Sequence, residues 1–221
     1  MNLFAVITGD LANSSKMKTE ERDKILLILK KEFETLKDSY LVDFKIFRGD
    51  SFQAFTQIPE EALTISFIIK SLLNKLQRDN GNTKKAKGLK PYFNARMAIG
   101  LGSVDFLKEN PGESDGEAFR NSGLSLDQMK AKGQQVIIKS PWEEINQEFE
   151  TECKLLDAIT DKWLTASAEV IYLLLMGYKE QEIADILKIS QSAVNQRKKS
   201  ANWEAVDFML NRYKNIVISR K

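Results

Sequence analysis

Two sets of side chains in this chain have types and spacings that can do chemistry. The first is Ser190, Gln191, Ser192, Asn195, Gln196, Arg197, Lys198 and Lys199. It offers hydroxyls, amides, one guanidinium and two ammonium groups, with no acid among them. Amides and guanidinium on one helix face suit base edges in a major groove, and lysines suit phosphates. The same residues would also serve as the solvated face of an ordinary helical hairpin. The second set is Asp10 and Asp50, each placed where a short apolar run meets a turn. A carboxylate can pair with a cation, whether one of the chain's own or one from outside it. Aspartate is equally a turn-capping residue, which is the plainer role for both.

The first set needs two short helices to hold it. Between Tyr178 and Lys199, one helix carries Ile183, Ala184 and Leu187, a tight turn runs through Lys188, Ile189 and Ser190, and a second helix buries Val194. Ser190 is placed to cap that second helix with its hydroxyl, and small Ala184 lets the helices approach. Lys188 stands where a glycine is usual, so a left-handed residue here carries a side chain at some cost. Before this pair, Thr165 to Met176 forms an apolar helix ended by Gly177. After it, Trp203, Val206, Leu210, Tyr213 and Val217 stripe a closing helix. That helix either pairs with its twin across a two-fold axis or roofs a small helical core.

The second set needs a sheet. Leu3–Thr8 is an apolar run read as a doubly buried strand with Asp10 at its mouth. A helix follows from about Thr19 to Lys37. Leu41–Phe47 and Phe52–Phe55 then flank Arg48-Gly49-Asp50-Ser51, a hairpin with Asp50 exposed at its tip. Pro59 opens another helix, striped by Ile65, Ile68, Ile69, Leu72, Leu73 and Leu76. Gln77–Pro91 is basic and nearly without apolar residues, so it reads as a solvated loop, with phosphate grasping as the alternative. Phe93–Leu101 and Gln134–Ile138 are the remaining strands, and Asp115–Lys130 is the helix between them. Ser140-Pro141-Trp142-Glu143 starts a helix with Ser140 as cap, and its stripe Trp142, Ile145, Phe149, Cys153 and Leu156 suits either a dimer seam or packing on the sheet.

The whole composition narrows the chemistry. The 221 residues are 43% hydrophobic and 29% charged, as in an ordinary globular protein. No apolar run is long enough for a membrane span and the start is unlike a signal peptide, so a cytoplasmic location is expected. One cysteine, Cys153, excludes an internal disulfide, and the absence of histidine excludes histidine-based triads and the usual zinc sites. Net charge is only +2, with a mild basic excess after residue 160, so the total names no polyanion partner.

The order of strands and helices, with one Asp after the first strand and another at the hairpin, resembles class III nucleotide cyclases. A more specific resemblance is to SatD-like bacterial proteins, through ITGDLANSSK at 7–16, RGDSFQ at 48–53, ARMAIGLG at 95–102 and SDGEAFRNSG at 114–123. It covers about residues 1–140. The cyclase resemblance implies that Asp10 and Asp50 would hold two divalent ions under a nucleotide. It also implies an Asn and, four residues later, an Arg, but Arg120 and Leu124 stand there. Without that cation the transferring phosphate loses a stabilising charge, so no appreciable cyclase activity is expected. Arg48 and Arg120 remain as ligand-binding candidates. Residues 165–200 resemble the helix-turn-helix of sigma-factor-like and LuxR-like regulators.

The expected fold is α+β: a ferredoxin-like, cyclase-like sheet over residues 1–140 with helices on one face, a connecting helix over 141–162, and a small all-α helix-turn-helix domain over 163–221. The expected function is a dimeric regulator that binds double-stranded DNA and whose first domain senses a nucleotide or other small phosphate, or mediates assembly. The alternative is a Mg²⁺-dependent enzyme acting on a nucleotide.

Overall fold

The structure, a computed structural model, describes residues 2–47, 49–76, 91–106 and 114–221, the side chains of 130–132 excepted. Arg48 and nearly all of the basic segment 77–91 lie outside the described residues. Strand β1 (Phe4–Leu11) is followed by α1 (Thr19–Tyr40), β2 (Val42–Ile46), β3 (Ser51–Thr56), α2 (Ala62–Lys75), β4 (Ala95–Gly102), α3 (Glu117–Lys132) and β5 (Val136–Lys139). Five helices complete the described chain: α4 (Glu143–Thr160), α5 (Thr165–Leu175), α6 (Glu180–Leu187), α7 (Gln191–Ser200) and α8 (Trp203–Ile218). The five strands lie in the order β2-β3-β1-β4-β5, and every neighbouring pair is antiparallel except β4 with β5. The most apolar strand is central because both its faces are covered. Ile7, for instance, lies between Ala54 and Ile99.

Helices cover both faces of the sheet, not one as its sequence pattern implied. On the larger face Ala5, Ile7, Leu11 and Ile99 join Leu29 and Phe33 of α1 and the apolar residues of α2 in one cluster. On the other face α3 is the one helix among the described residues, placing Ala118 and Phe119 over Val6 and Phe55, and Leu126 and Met129 over Ala98. Gly100 sets how close α3 comes. A Cβ there would collide with the Ala118 carbonyl oxygen and the Ser122 nitrogen, so only glycine permits this approach.

Helix α2 is the centre of the molecule. Every residue from Ala62 to Asn74 is buried, polar ones included, so the expected apolar stripe is a helix wrapped on all sides. The helix satisfies its own hydroxyls: Ser66 donates to the Ala62 carbonyl at 2.9 Å and Ser71 to that of Phe67 at 2.7 Å. Opposite the sheet, α5 lies along α2, and the Phe67 and Trp163 rings meet edge-on at 6.2 Å. Trp163 donates its indole N–H to the Ala201 carbonyl at 2.9 Å, and the Tyr213 hydroxyl donates to that of Pro59 at 2.8 Å. The helices after residue 162 therefore share much of their core with the sheet, apart from a small junction of their own. Trp163, Ile171, Val206, Leu210, Tyr213 and Val217 belong to the same cluster as the sheet's inner face.

This packing also takes up the two stripes for which a dimer seam and packing within the chain were the alternatives. Phe149, Cys153 and Leu156 of α4, and Val206, Leu210, Tyr213 and Val217 of α8, are buried within the chain. Helix α4 begins at Glu143, with Trp142 as its cap residue. Ser140 instead forms a loop lock, in which its backbone N–H and hydroxyl donate to the Asn146 side-chain oxygen at 2.7 and 2.9 Å. Glu143 accepts from Lys139 and Asn146, at 3.0 and 3.2 Å.

Candidate functional site

The second helix of the C-terminal pair is positioned by a small apolar junction. Val170 of α5, Ile183 and Ala184 of α6 and Val194 of α7 form a buried cluster, flanked by Leu187 and Ile189. Helix α6 starts with the Glu182 carboxylate accepting from the Lys179 backbone N–H at 2.7 Å. It stops at Lys188, which adopts the left-handed conformation with φ 53° and ψ 48° and sends its N–H to the Ala184 carbonyl. Ser190 then caps α7, its hydroxyl oxygen accepting from the Ala193 N–H at 3.2 Å and sharing a hydrogen bond with Ser192 at 2.9 Å.

With Val194 pointing inward, α7 turns a polar face out. Ser190, Gln191, Ser192, Gln196 and Lys199 are exposed, and Asn195 is half-buried beside them. Arg197 and Lys198 behave differently. Arg197 donates to Glu169 of α5 at 3.3 Å, and the Lys198 ammonium is bound by Glu180 of α6. The helix itself carries no acid, but its neighbours supply two that reach its cations. They hold α7 against α5 and α6 and partly neutralise its charge. Neither acid was marked by the sequence, because each lies on a different helix and only the packing brings it to α7.

Behind Glu169 the charge pattern continues into the core. The Lys75 ammonium lies 3.1 Å above the Tyr172 ring centroid, and the Tyr172 hydroxyl donates to both Glu32 oxygens at 3.0 and 2.9 Å. Burial holds the Lys75 ammonium down at about 8, against the opposing pull of Glu32 and then Glu169. Burial likewise raises Glu32, with the Tyr172 hydrogen bond and Lys75 acting the other way. A chain of polar contacts thus joins α1, α2 and α5 just behind the braced side of α7.

The corner of the sheet is arranged otherwise. Asp10 and Arg96 are cross-strand partners in the β1–β4 register. Arg96 donates through Nε to Oδ1 and through Nη2 to Oδ2, both at 2.8 Å, while Asp10 is only 4% exposed. Asp50 is close by, since its carbonyl accepts from the Leu11 N–H at 3.0 Å. It is half-buried rather than exposed at a tip, and its side chain accepts from the Ser14 and Ser51 hydroxyls. The structure brings the two acids to one corner but commits their oxygens to an arginine and two serines. Among the described residues no group of three or more carboxylates or thiols is placed to hold a metal. The arrangement does not fit a two-ion site. Arg120 lies elsewhere, at the surface, with Asp105 at 3.3 Å and Asp115 at 3.1 Å.

The fold and this arrangement define a mixed α/β protein with a five-stranded sheet in the order β2-β3-β1-β4-β5 and a helical end that completes its core. The SatD family profile matches residues 4–214, and the chain belongs to that family. The match takes in α4 to α7 and most of α8, well past the 1–140 segment that carries the sequence motifs. No curated protein matches the chain. Similar solved structures include the active GGEEF domain of a diguanylate cyclase from Vibrio cholerae, at 15% identity and TM-score 0.44, covering 64% of this chain and 85% of that one. The catalytic core of a rhodopsin-guanylyl cyclase with converted specificity, in complex with ATPalphaS, is similar at 17% identity and TM-score 0.42, covering 62% and 77%. The non-canonical dimeric guanylyl cyclase domain of the RhoGC fusion protein from the aquatic fungus Blastocladiella emersonii follows at 16% and 0.41, covering 62% and 79%.

Proposed function

We propose that the chain is a regulator that binds double-stranded DNA by laying α7 in the major groove, with the sheet half as the body that carries and orients it. One observation carries this reading. Val194 fixes α7 from beneath, while Ser190, Gln191, Ser192, Gln196 and Lys199 present donors and acceptors to solvent from its outer side. Groups held in place and left open at a helix N-terminus are suited to read base edges. In this reading Gln191, Gln196 and Asn195 discriminate bases, and Lys199 contacts phosphate. Arg197 and Lys198 reach DNA only in competition with Glu169 and Glu180, so they orient the helix first and add attraction second.

Selection of random duplexes on the whole chain tests the proposal, followed by titration of the selected site. Gln191→Ala and Gln196→Ala are expected to reduce discrimination by about 10-fold each. Lys199→Ala is expected to weaken all sequences alike and to lower the salt slope by about 1. Failure to enrich any sequence, or variants that bind the selected site as the parent does, would overturn it.

A further inference from the structure

Although the inner stripes of α4 and α8 are consumed inside the chain, the two helices leave a different apolar face open. Phe208 is 76% exposed and Leu155 is 61% exposed, and they stand on the two walls of a groove of about 200 Å³. Leu156, Ile159, Ala205 and Met209 complete its apolar lining, with Glu152 and Arg212 at one end. The helices run side by side in opposite directions, joined by Arg212 to Glu148 at 2.9 Å and by Arg220 to Glu144 at 3.2 Å. A protruding phenyl ring beside a leucine is costly to leave in water and marks a contact surface.

We infer that this face binds a second copy of the chain, with two α8 helices crossing antiparallel about a two-fold axis at Phe208. The charge order along α8 selects that occupant. Glu204, Phe208 and Arg212 are four residues apart, so acid, ring and base lie in sequence along one side of the helix. A two-fold axis through Phe208 sets each Arg212 opposite the other copy's Glu204, and brings the two rings together on the axis. Such a patch is complementary to itself, as an isologous interface requires. A parallel pairing would set acid against acid and base against base. Arg212 can serve both contacts: Nε and Nη2 donate to Glu148 Oε1 at 3.0 and 2.9 Å, which leaves Nη1 for an acceptor across the axis.

The inference does not depend on DNA binding, and sedimentation of the whole chain at about 50 μM tests it alone. A dimer is expected for the parent. Phe208→Glu and Leu155→Glu should each raise the dissociation constant by at least about 10-fold, with circular dichroism unchanged because both positions are exposed. Glu204→Arg and Arg212→Glu should each weaken the dimer about 10-fold, whereas the double variant should return to within about 3-fold of the parent. That recovery distinguishes a contact across the axis from loss of the internal pair with Glu148, which the double variant does not restore. A monomeric parent, a dimer indifferent to Phe208→Glu, or a double variant no better than its singles would each overturn the inference.

Discussion

The sheet corner at Asp10 and the outer face of α7 are both built of polar groups that follow apolar runs, yet one is closed and the other open. At the corner, both oxygens of Asp10 are met by Arg96, and Asp50 is met by hydroxyls. On α7, the cations nearest the core are braced by Glu169 and Glu180, while Gln191, Ser192, Gln196 and Lys199 face water. The residue types at both places permit chemistry with an outside partner. What separates them is whether the chain has already supplied the partner. A buried charge must find its counter-ion during folding, whereas an exposed amide has no such need and stays available.

The sharpest way to break this contrast is to remove the closing partner. Asp10→Ala leaves the Arg96 guanidinium without its acid, and because that side chain is 26% exposed the expected loss is about 2 kcal/mol in urea unfolding. Little change would mean that the corner is not a structural lock.

A second closed site responds to pH. Lys70 is fully buried, with Asn94 at 3.4 Å and the Gln135 side chain bound, and burial lowers its pKa to about 8 from the ordinary 10.5, opposed by Asp157 and Asp161. Between those values the unfolded chain binds more protons than the folded one, so stability should rise with pH from about 8 to about 10. Below the lower value the full cost of burying the charge is present. Lys75, held at about 8 by burial as well, adds to the same rise, so Lys70→Met should reduce it by about half in thermal melts, and an unchanged profile in the variant would show that Lys70 is not a source of it.

Smaller effects belong to the open region. Lys188→Gly relieves a side chain at a left-handed residue and should stabilise the chain by about 1 kcal/mol. Gln196→Ala and Lys199→Ala should change unfolding free energy by less than about 0.5 kcal/mol. A larger loss there would mean that the outer face of α7 is also engaged within the chain, and the contrast would fall.

Local patterns in the sequence marked much of this. The apolar run at the start became the central strand, Ser190 sits at the cap its type implies, and Lys188 takes the left-handed turn that its place in the motif implies in spite of its type. Less visible was whatever depends on residues distant in the chain. Arg96 reads as one member of an alternating strand, and only the β1–β4 register makes it the partner of Asp10. Glu169 and Glu180 look like ordinary surface acids of amphipathic helices. The apolar periodicity of α2 exposed one stripe to inspection, while Ser66, Lys70, Ser71 and Asn74 between its members gave no hint of burial. The solitary position of α3 was hidden for the same reason, since Gly100 signals close approach without saying what approaches.

The burial of α2 has a consequence for how the chain is made. Its inner side can dock on strands near it in sequence, but its outer side waits for α5 and α8, the latter beginning at Trp203. During synthesis an uncovered apolar helix must persist until α5 and then α8, far downstream of it, have emerged. Folding is therefore expected to finish late, through contacts of long sequence separation, and a ribosome halted before α8 should hold an intermediate prone to aggregation.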